Sequence, residues 1–260
     1  RDPHQEGLTF IYHPWETGRD NSPLWDDILN RIEIKAGDIP PYQRRDTSLI
    51  DAEERPTQDH YDRYVYLLML AQKYGYDGPE IAEKSPFLVQ DTMMNAILIR
   101  SNAALIRLGK AFGFETKEVE AWQEKAVQRF EEKLWNEELG TYVGYDMRAD
   151  EQMLFKEIGG LTAVFAGVAH PDRANRLNAY LEDLQSRGFL ICPTFDVDHP
   201  YFDSKRYWRG PIWPQMNWML YQGFKAYGFE QTDNSLRQNL VDLISQLGFF
   251  EYFEAQKHLV

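Results

Sequence analysis

Residues 13–23 (HPWETGRDNSP) place two acidic residues, a tryptophan and a glycine in one short loop. The Ser–Pro pair that ends the loop is typical of a helix start, so Asp20 is predicted to lie near a helix N-terminus. The helix dipole favours the ionised carboxylate, whereas burial beside Trp15 favours the neutral acid. A carboxyl group that keeps its proton can act as the general acid of a glycosidase. Asp20 is therefore a candidate proton donor; the alternative is that Asp20 or Asn21 only caps the helix.

Glu16 is the other acidic residue of this loop. Its carboxylate could bind a sugar hydroxyl, or it could be an ordinary loop carboxylate that accepts hydrogen bonds from nearby amides. We predict the sugar contact.

Residues 205–218 (KRYWRGPIWPQMNW) form a second segment that is rich in aromatic residues. Two prolines and a glycine exclude a helix before about Pro214. Tyr207, Trp208 and Trp213 then belong to a rigid loop, where flat rings can cover the apolar face of a sugar. The alternative is that these three rings fill the core.

A third segment, residues 248–254 (GFFEYFE), follows a stripe of apolar residues at helical spacing. Gly248 ends that helix, and an aromatic run with two glutamates follows. Glu251 or Glu254 is a candidate second carboxylate, far from Asp20 in the sequence. Both glutamates could instead be exposed charges at an edge, as glutamates usually are.

The composition restricts the partners of this chain. A formal net charge of −13 disfavours nucleic acid and anionic membrane surfaces, and fits a small carbohydrate substrate that is neutral or is met by a local arginine. No apolar run approaches the ~18 residues of a membrane span. The single cysteine, Cys192, suits a reducing compartment, so we predict a cytoplasmic protein. The six histidines have no paired metal spacing, and we predict neither a metal nor a cofactor.

The elements that must position these segments are helices. Amphipathic stretches are predicted from Leu24 to Ile34, from Asp59 to Tyr74, from Val89 to Phe112, and from Pro171 to Ser186, with another ending at Leu247. Serial helix pairs with functional loops at one end suggest an all-α barrel in a single domain spanning residues 1–260.

Together the three segments resemble glycoside hydrolase family 63, which contains processing α-glucosidases and the mannosylglycerate and glucosylglycerate hydrolases. The resemblance implies an (α/α)6 barrel and inverting hydrolysis of an α-glycosidic bond. Asp20 would protonate the leaving oxygen, and Glu251 would act as base on a water attacking the opposite face of the sugar. That mechanism requires carboxyl groups roughly 6.5–9.5 Å apart. The first and last helices of the family's barrel are expected to be absent from this chain.

The resemblance also implies substrate-binding residues. A substrate that carries a glycerate carboxylate needs a cation, and Arg55 can bind a carboxylate through two parallel hydrogen bonds, with Tyr61 beside it. Arg55 could instead pair with Glu53 or Glu54 on the surface. The other substrate-binding residues implied by the three segments are Trp15, Glu16, Gly18, Tyr207, Trp208, Gly210 and Trp213.

Two other functions remain open from the sequence. One is the same chemistry on a glucose disaccharide or oligosaccharide, as in processing α-glucosidases and trehalases. The other is a carbohydrate-binding fragment that keeps the aromatic walls without turnover.

Overall fold

The computed structural model describes residues 1–48, 51–189 and 191–255. Most elements are helices, and the strands are two residues long. The helices are α1 (Asp26–Asn30), α2 (Gln58–Lys73), α3 (Gly78–Lys84), α4 (Thr92–Phe112), α5 (Lys117–Lys133), α6 (Ile158–Leu161), α7 (Ala163–Ala166), α8 (Pro171–Ser186), α9 (Pro214–Tyr227) and α10 (Glu230–Leu247). Single 3-10 turns cover Pro14–Thr17, Pro23–Trp25 and Ala52–Glu54. The strands are β1 (Val89–Gln90), β2 (Trp135–Asn136), β3 (Thr141–Tyr142), β4 (Tyr145–Asp146) and β5 (Glu151–Gln152).

Polar side chains fix where the main helices begin. Asp91 accepts a hydrogen bond from the Met94 N–H (2.8 Å) at the start of α4, and Thr57 caps α2. Pro214 is the first residue of α9, where its missing N–H loses no helical hydrogen bond. The capping residues and the proline act through nearby residues in the sequence. The prediction that the chain is mostly helical is confirmed.

The first predicted helix is much shorter than expected. Instead of running from Leu24 to Ile34, the chain forms the 3-10 turn Pro23–Trp25 and then the five-residue α1. The apolar residues that suggested one long helix are nevertheless buried, with Ile32 at 3% exposure beyond the helix end. Burial of these side chains is therefore achieved by two short pieces of helix and the residues that follow them.

Short antiparallel strands connect the beginning of the chain to the middle. β1 pairs with β4, β4 pairs with β5, and β2 pairs separately with β3. Ile11 exchanges two backbone hydrogen bonds with Val89, at 2.8 and 3.0 Å. This pairing holds the residues just before the 13–23 loop against the start of α4.

The main core lies where α9 packs against α7 and α10, and where α4 packs against α5 and α7. Gly223 of α9 faces α7 so closely that an added Cβ would lie 2.6 Å from the Phe165 backbone nitrogen and 2.7 Å from the Val164 carbonyl carbon. The two backbones are therefore in direct contact. No helix among the described residues combines the length and apolarity needed to cross a bilayer.

Gly223→Ala is expected to lower the free energy of unfolding by about 1–3 kcal/mol, because the new methyl group must push two backbones apart. Denaturant unfolding followed by circular dichroism measures the change. Ser101→Ala, at an exposed serine of α4, is the control and should leave stability equal or higher, because alanine is the better helix former. A Gly223→Ala protein as stable as the control would contradict the close contact.

Candidate active site

The 13–23 loop is built from two tight turns with a glycine between them. The His13 Nδ1 atom accepts a hydrogen bond from the Trp15 N–H (3.0 Å) and starts the turn Pro14–Thr17. Gly18 follows in the left-handed region at φ 68°, where a residue without Cβ is least strained. The chain thereby reverses direction just before Asp20.

Arg19 holds this loop in place through its side chain and its backbone. Its side chain is 1% exposed and forms ion pairs with Asp91 and Glu157. Its N–H donates to Thr17 Oγ1 (3.0 Å), and its carbonyl accepts from the Trp25 Nε1–H (2.7 Å). The side chain and both backbone polar groups of the residue before Asp20 are thus held.

The residue after Asp20 is held as well. Asn21 has φ 71°, a left-handed conformation that asparagine tolerates better than most residues, and its N–H donates to the Tyr64 hydroxyl (3.1 Å). Ser22, not Asp20 or Asn21, caps the following turn. The capping role considered as an alternative for Asp20 therefore belongs to Ser22.

Asp20 lies in an environment that favours the neutral acid. The pKa of Asp20 is raised from 3.8 to about 6: burial is the largest cause, the Asp20 N–H and the Arg55 charge lower the pKa, and the charges of Asp46 and Glu251 raise it. Burial thus outweighs both the local hydrogen bond and the cation. Asp46, Arg55 and Glu251 thus act electrostatically on Asp20, although Glu251 lies far from it in the sequence.

Aromatic rings cover one side of the loop. The ring of Trp15, which is 37% exposed, lies 5.7 Å from Tyr61 and 5.6 Å from Tyr64. Tyr42 stacks on Tyr61 (5.6 Å), and the Arg44 guanidinium lies 4.4 Å from the centre of the Tyr61 ring. Trp15 and Tyr61 are therefore brought together, and part of the Trp15 ring is open to solvent.

The surroundings of Glu16 and Gly18 indicate structural roles for these two residues. The Glu16 carboxylate forms an ion pair with Arg1 and accepts a hydrogen bond from the Tyr12 N–H (2.7 Å). This matches the ordinary loop carboxylate that was the alternative to a sugar contact. Gly18 is exposed, with nothing within 4 Å of an added Cβ.

Arg55 lies over an aromatic ring rather than beside its acidic neighbours. Its guanidinium carbon is 4.3 Å from the centre of the Tyr207 ring. Among the described residues, no ion pair within 4.0 Å joins Arg55 to Glu53 or Glu54, and the buried Arg55 Nε–H has no hydrogen-bond acceptor. Instead, Glu54 accepts a hydrogen bond from the Tyr252 hydroxyl (2.9 Å). The cation is thus available close to Asp20.

The tryptophans of the second segment are mostly buried. Trp208 and Trp213 are 4% and 3% exposed, and their rings stack at 3.9 Å. The Trp213 Nε1–H donates to the Tyr207 carbonyl (3.1 Å), whereas the buried Trp208 Nε1–H has no acceptor among the described residues. Tyr207 has φ 38°, which is rare for a bulky side chain and fixes its ring beside Arg55.

Arg209 and Gly210 join this segment to the 13–23 loop. The buried Arg209 guanidinium forms an ion pair with Asp26 (2.6 Å) and a long hydrogen bond to Asn21 Oδ1 (3.4 Å). An added Cβ on Gly210 would lie 2.4 Å from the Asp203 carbonyl oxygen, so only glycine fits there. Gly210 therefore contributes close backbone packing.

The third segment lies against the second. Phe253 exchanges two backbone hydrogen bonds with Ile212 (2.8 and 2.9 Å), and the Tyr252 ring stacks on Trp213 at 5.2 Å. Glu251 is exposed, whereas Glu254 accepts a hydrogen bond from Ser204 Oγ (3.2 Å). The charge of Glu251 acts on Asp20 and Tyr207.

Several residues of the site were not predicted from the sequence: Arg19, Glu54, Tyr64, Arg209, Tyr252 and Asp46. Each is of a type that is common on surfaces or in cores, and each acquires its role from a partner far along the chain. Within residues 1–48, 51–189 and 191–255, no group of three histidine, cysteine or acidic side chains could hold a metal ion.

Comparison with known proteins shows the family of this chain. Residues 1–257 match the model of the mannosylglycerate hydrolase MGH1-like glycoside hydrolase domain. The chain belongs to this family. The predicted resemblance to glycoside hydrolase family 63 is thereby confirmed.

Relatives of this MGH1-like chain have known names and structures. Mannosylglycerate hydrolase of Thermus thermophilus is 39% identical over 254 residues, which cover 98% of this chain and 60% of that protein. Glucosylglycerate hydrolase of Mycolicibacterium hassiacum is 29% identical over 264 residues, covering 98% and 58%. The crystal structure of a GH63 mannosylglycerate hydrolase from T. thermophilus in complex with Tris and D-glycerate superposes with a TM-score of 0.94 at 39% identity, covering 99% of this chain and 62% of that one. The MGH1-like chain thus spans about 60% of the length of the first relative.

Asp20→Asn in this MGH1-like chain is expected to raise the free energy of unfolding at pH 8 and to change it little at pH 4. The folded state holds the Asp20 proton up to a pKa of about 6. The unfolded chain loses that proton near pH 3.9, so stability falls as the pH rises through this window. The gain at pH 8 should be about 1–2 kcal/mol, less than the full shift implies because the side chain is partly exposed.

Denaturant unfolding between pH 4 and pH 8 measures the effect. Asp27→Asn, at an exposed aspartate of α1, is the control and should not reproduce the gain at pH 8. A gain from Asp20→Asn that does not depend on pH would contradict the raised pKa.

Proposed function

We propose that the chain belongs to an inverting α-glycoside hydrolase whose substrate is mannosylglycerate or glucosylglycerate. The observation that carries this proposal is the environment of Asp20, where burial raises the pKa to about 6 beside Glu251 and Arg55. A carboxylic acid that keeps its proton near neutral pH, opposite a second carboxylate, is the arrangement on which glycosidases depend.

In the proposed reaction the Asp20 carboxylic acid donates its proton to the glycosidic oxygen. The bond between this oxygen and the anomeric carbon breaks, and glycerate leaves with a free hydroxyl. Glu251, which is exposed and therefore reached by water, takes a proton from a water molecule that attacks the anomeric carbon from the opposite face. The products are glycerate and a hexose with inverted anomeric configuration.

We propose that Arg55, Tyr61 and Tyr207 bind the glycerate end. Arg55 carries a buried Nε–H without an acceptor among the described residues, and its guanidinium lies against Tyr207 and acts electrostatically on Asp20. A carboxylate bound there would gain charge-assisted hydrogen bonds. The crystal structure of the T. thermophilus relative contains D-glycerate, which supports a glycerate-bearing substrate.

The sugar is proposed to bind against Trp15, whose ring is partly exposed and packs against Tyr61, a residue on which the Asp20 charge acts. Trp208 and Trp213 would support that wall from behind through their stacked and buried rings. Glu16, Gly18 and Gly210 would shape the loops that carry these groups. We also propose that the helices form part of an (α/α)6 barrel in one catalytic domain located in the cytoplasm.

Asp20→Asn and Glu251→Gln are each expected to lower kcat by at least ~10²-fold while sparing binding, because general acid and general base catalysis contribute ~10²–10⁴ each. Release of sugar from mannosylglycerate, glucosylglycerate and trehalose, followed by proton NMR, measures turnover and shows the anomer formed first. The wild-type rate should fall as the pH rises through about 6, since Asp20 acts in its protonated form.

Glu254→Gln is the matched control, because its carboxylate binds Ser204 and should leave turnover largely intact. Full activity in Glu251→Gln with loss in Glu254→Gln would reverse the assignment of the base. Binding of the sugars without release by the wild-type chain would favour the carbohydrate-binding function instead.

Arg55→Ala is expected to lower kcat/KM for glycerate-bearing substrates by ~10–100-fold, since a hydrogen bond to a charged group contributes roughly 1.5–3 kcal/mol. Uncharged glucosides should lose little, and the ratio of the two losses is the measurement. Arg107→Ala, at an exposed arginine of α4, should leave both rates unchanged. An equal loss on both substrate classes after Arg55→Ala would refute the role in binding the carboxylate.

A further inference from the structure

Glu54 contacts the residues next to the proposed acid and the proposed base, and it precedes the arginine that is proposed to bind the carboxylate. It is the last residue of the turn Ala52–Glu54 and directly precedes Arg55. Its carbonyl accepts a hydrogen bond from Asn21 Nδ2 (3.4 Å), and its Oε2 accepts one from the Tyr252 hydroxyl (2.9 Å). Asn21 follows Asp20 in the chain, and Tyr252 follows Glu251.

We propose that Glu54 is a positioning residue that holds the segment carrying Glu251 at a fixed distance from the loop carrying Asp20. The proposal rests on the function proposed above, because it assigns to Glu54 the alignment of the two carboxylates. Glu54 touches neither the substrate nor the reacting atoms, and it acts through Tyr252.

The Tyr252 side chain can transmit position because its ring is confined. Trp213 stacks on it at 5.2 Å, and Tyr207 meets it edge-on at 5.5 Å. A ring held on two sides directs its hydroxyl toward one place, which Glu54 occupies. Burial, followed by this hydrogen bond, raises the pKa of Tyr252 to about 12, so the hydroxyl remains a donor.

The backbone of the third segment is tied to a different part of the molecule. Phe253 pairs with Ile212, and the Ala255 N–H donates to the Ser204 carbonyl (3.0 Å). These bonds fix the segment against residues 204–213 but not against the acid loop. The Tyr252–Glu54 bond spans 198 residues and links the segment to the side of the site where Arg55 and Asn21 lie.

The alignment of reacting groups decides how strongly such a bond affects the rate. A displacement of about 1 Å can reduce a rate by ~10²-fold, whereas binding of the substrate depends on it less. Loss of the Tyr252–Glu54 bond should therefore lower kcat and leave KM nearly constant. A general loss of folding would lower the amount of active protein instead, without the pattern of rescue described next.

The test uses the 260-residue chain and five variants of it. Three are the single substitutions Tyr252→Phe, Glu54→Ala and Glu54→Gln, and two combine Tyr252→Phe with either substitution of Glu54. Tyr252→Phe and Glu54→Ala should each lower kcat about 10-fold with KM within about twofold of wild type. Glu54→Gln should restore most of the rate, because the glutamine Oε1 still accepts the tyrosine hydroxyl. The Glu54→Ala/Tyr252→Phe double variant should be no slower than either single variant, as expected for two partners in one interaction.

Glu53→Ala is the matched control, since Glu53 is exposed and adjacent and should leave kcat unchanged. Wild-type kcat in Tyr252→Phe, additive losses in the double variant, or a Glu54→Gln protein as slow as Glu54→Ala would each overturn the proposal.

Hydrogen exchange separates this proposal from the proposed function. If the wild-type chain releases no sugar, the proposed function is refuted, but the positioning role of Glu54 is not. Amide exchange in residues 249–255 then tests that role. Exchange there should be faster in Tyr252→Phe and Glu54→Ala than in wild type, Glu54→Gln and Glu53→Ala. Equal protection in all five proteins would overturn the role of Glu54.

Discussion

The buried ion cluster of Arg19, Asp91 and Glu157 is the interaction on which the candidate site depends. Breaking a buried ion pair by removing one partner typically costs about 3–5 kcal/mol, because the remaining charge has no water around it. Here both carboxylates also begin helices: Asp91 caps α4 and Glu157 caps α6. The Arg19 guanidinium therefore ties the loop of Asp20 to the N-termini of two helices, where the helix dipole is positive. The positions of these two helix ends determine the position of Asp20.

A second cation contacts the same loop. Arg209 reaches Asp26 and Asn21 from the tryptophan-rich segment, so two buried guanidinium groups hold the loop of Asp20. The backbone on both sides of this clamp is strained, with positive φ at Asn21 and Tyr207. Such conformations cost about 1–3 kcal/mol each and persist only where surrounding contacts determine them. The site is thus rigid because several strong contacts act against local backbone preference.

Sequence reasoning recovers what is encoded locally. Capping residues, prolines and apolar spacing predicted α8 correctly and α2 within one residue at either end, and the clustering of unusual residues identified the loop of Asp20. It could not recover Arg19, whose partners lie 72 and 138 residues away. It paired Arg55 with Glu54 as an alternative because they are neighbours, yet the Glu54 carboxylate binds Tyr252. It also treated Trp208 and Trp213 as an open wall, since composition does not distinguish a buried stack of rings from an exposed one.

The pairing of Phe253 with Ile212 sets an order on the assembly of the site during synthesis. The acid loop and its partners Asp91 and Glu157 leave the ribosome well before residues 251–255, so the first half of the site can form while the chain is still growing. Contacts between residues so far apart in sequence form slowly, because a long loop must close before they contribute energy. A nascent chain therefore carries Asp20 without Glu251, and the proposed acid and base come together only after residue 251 has been made.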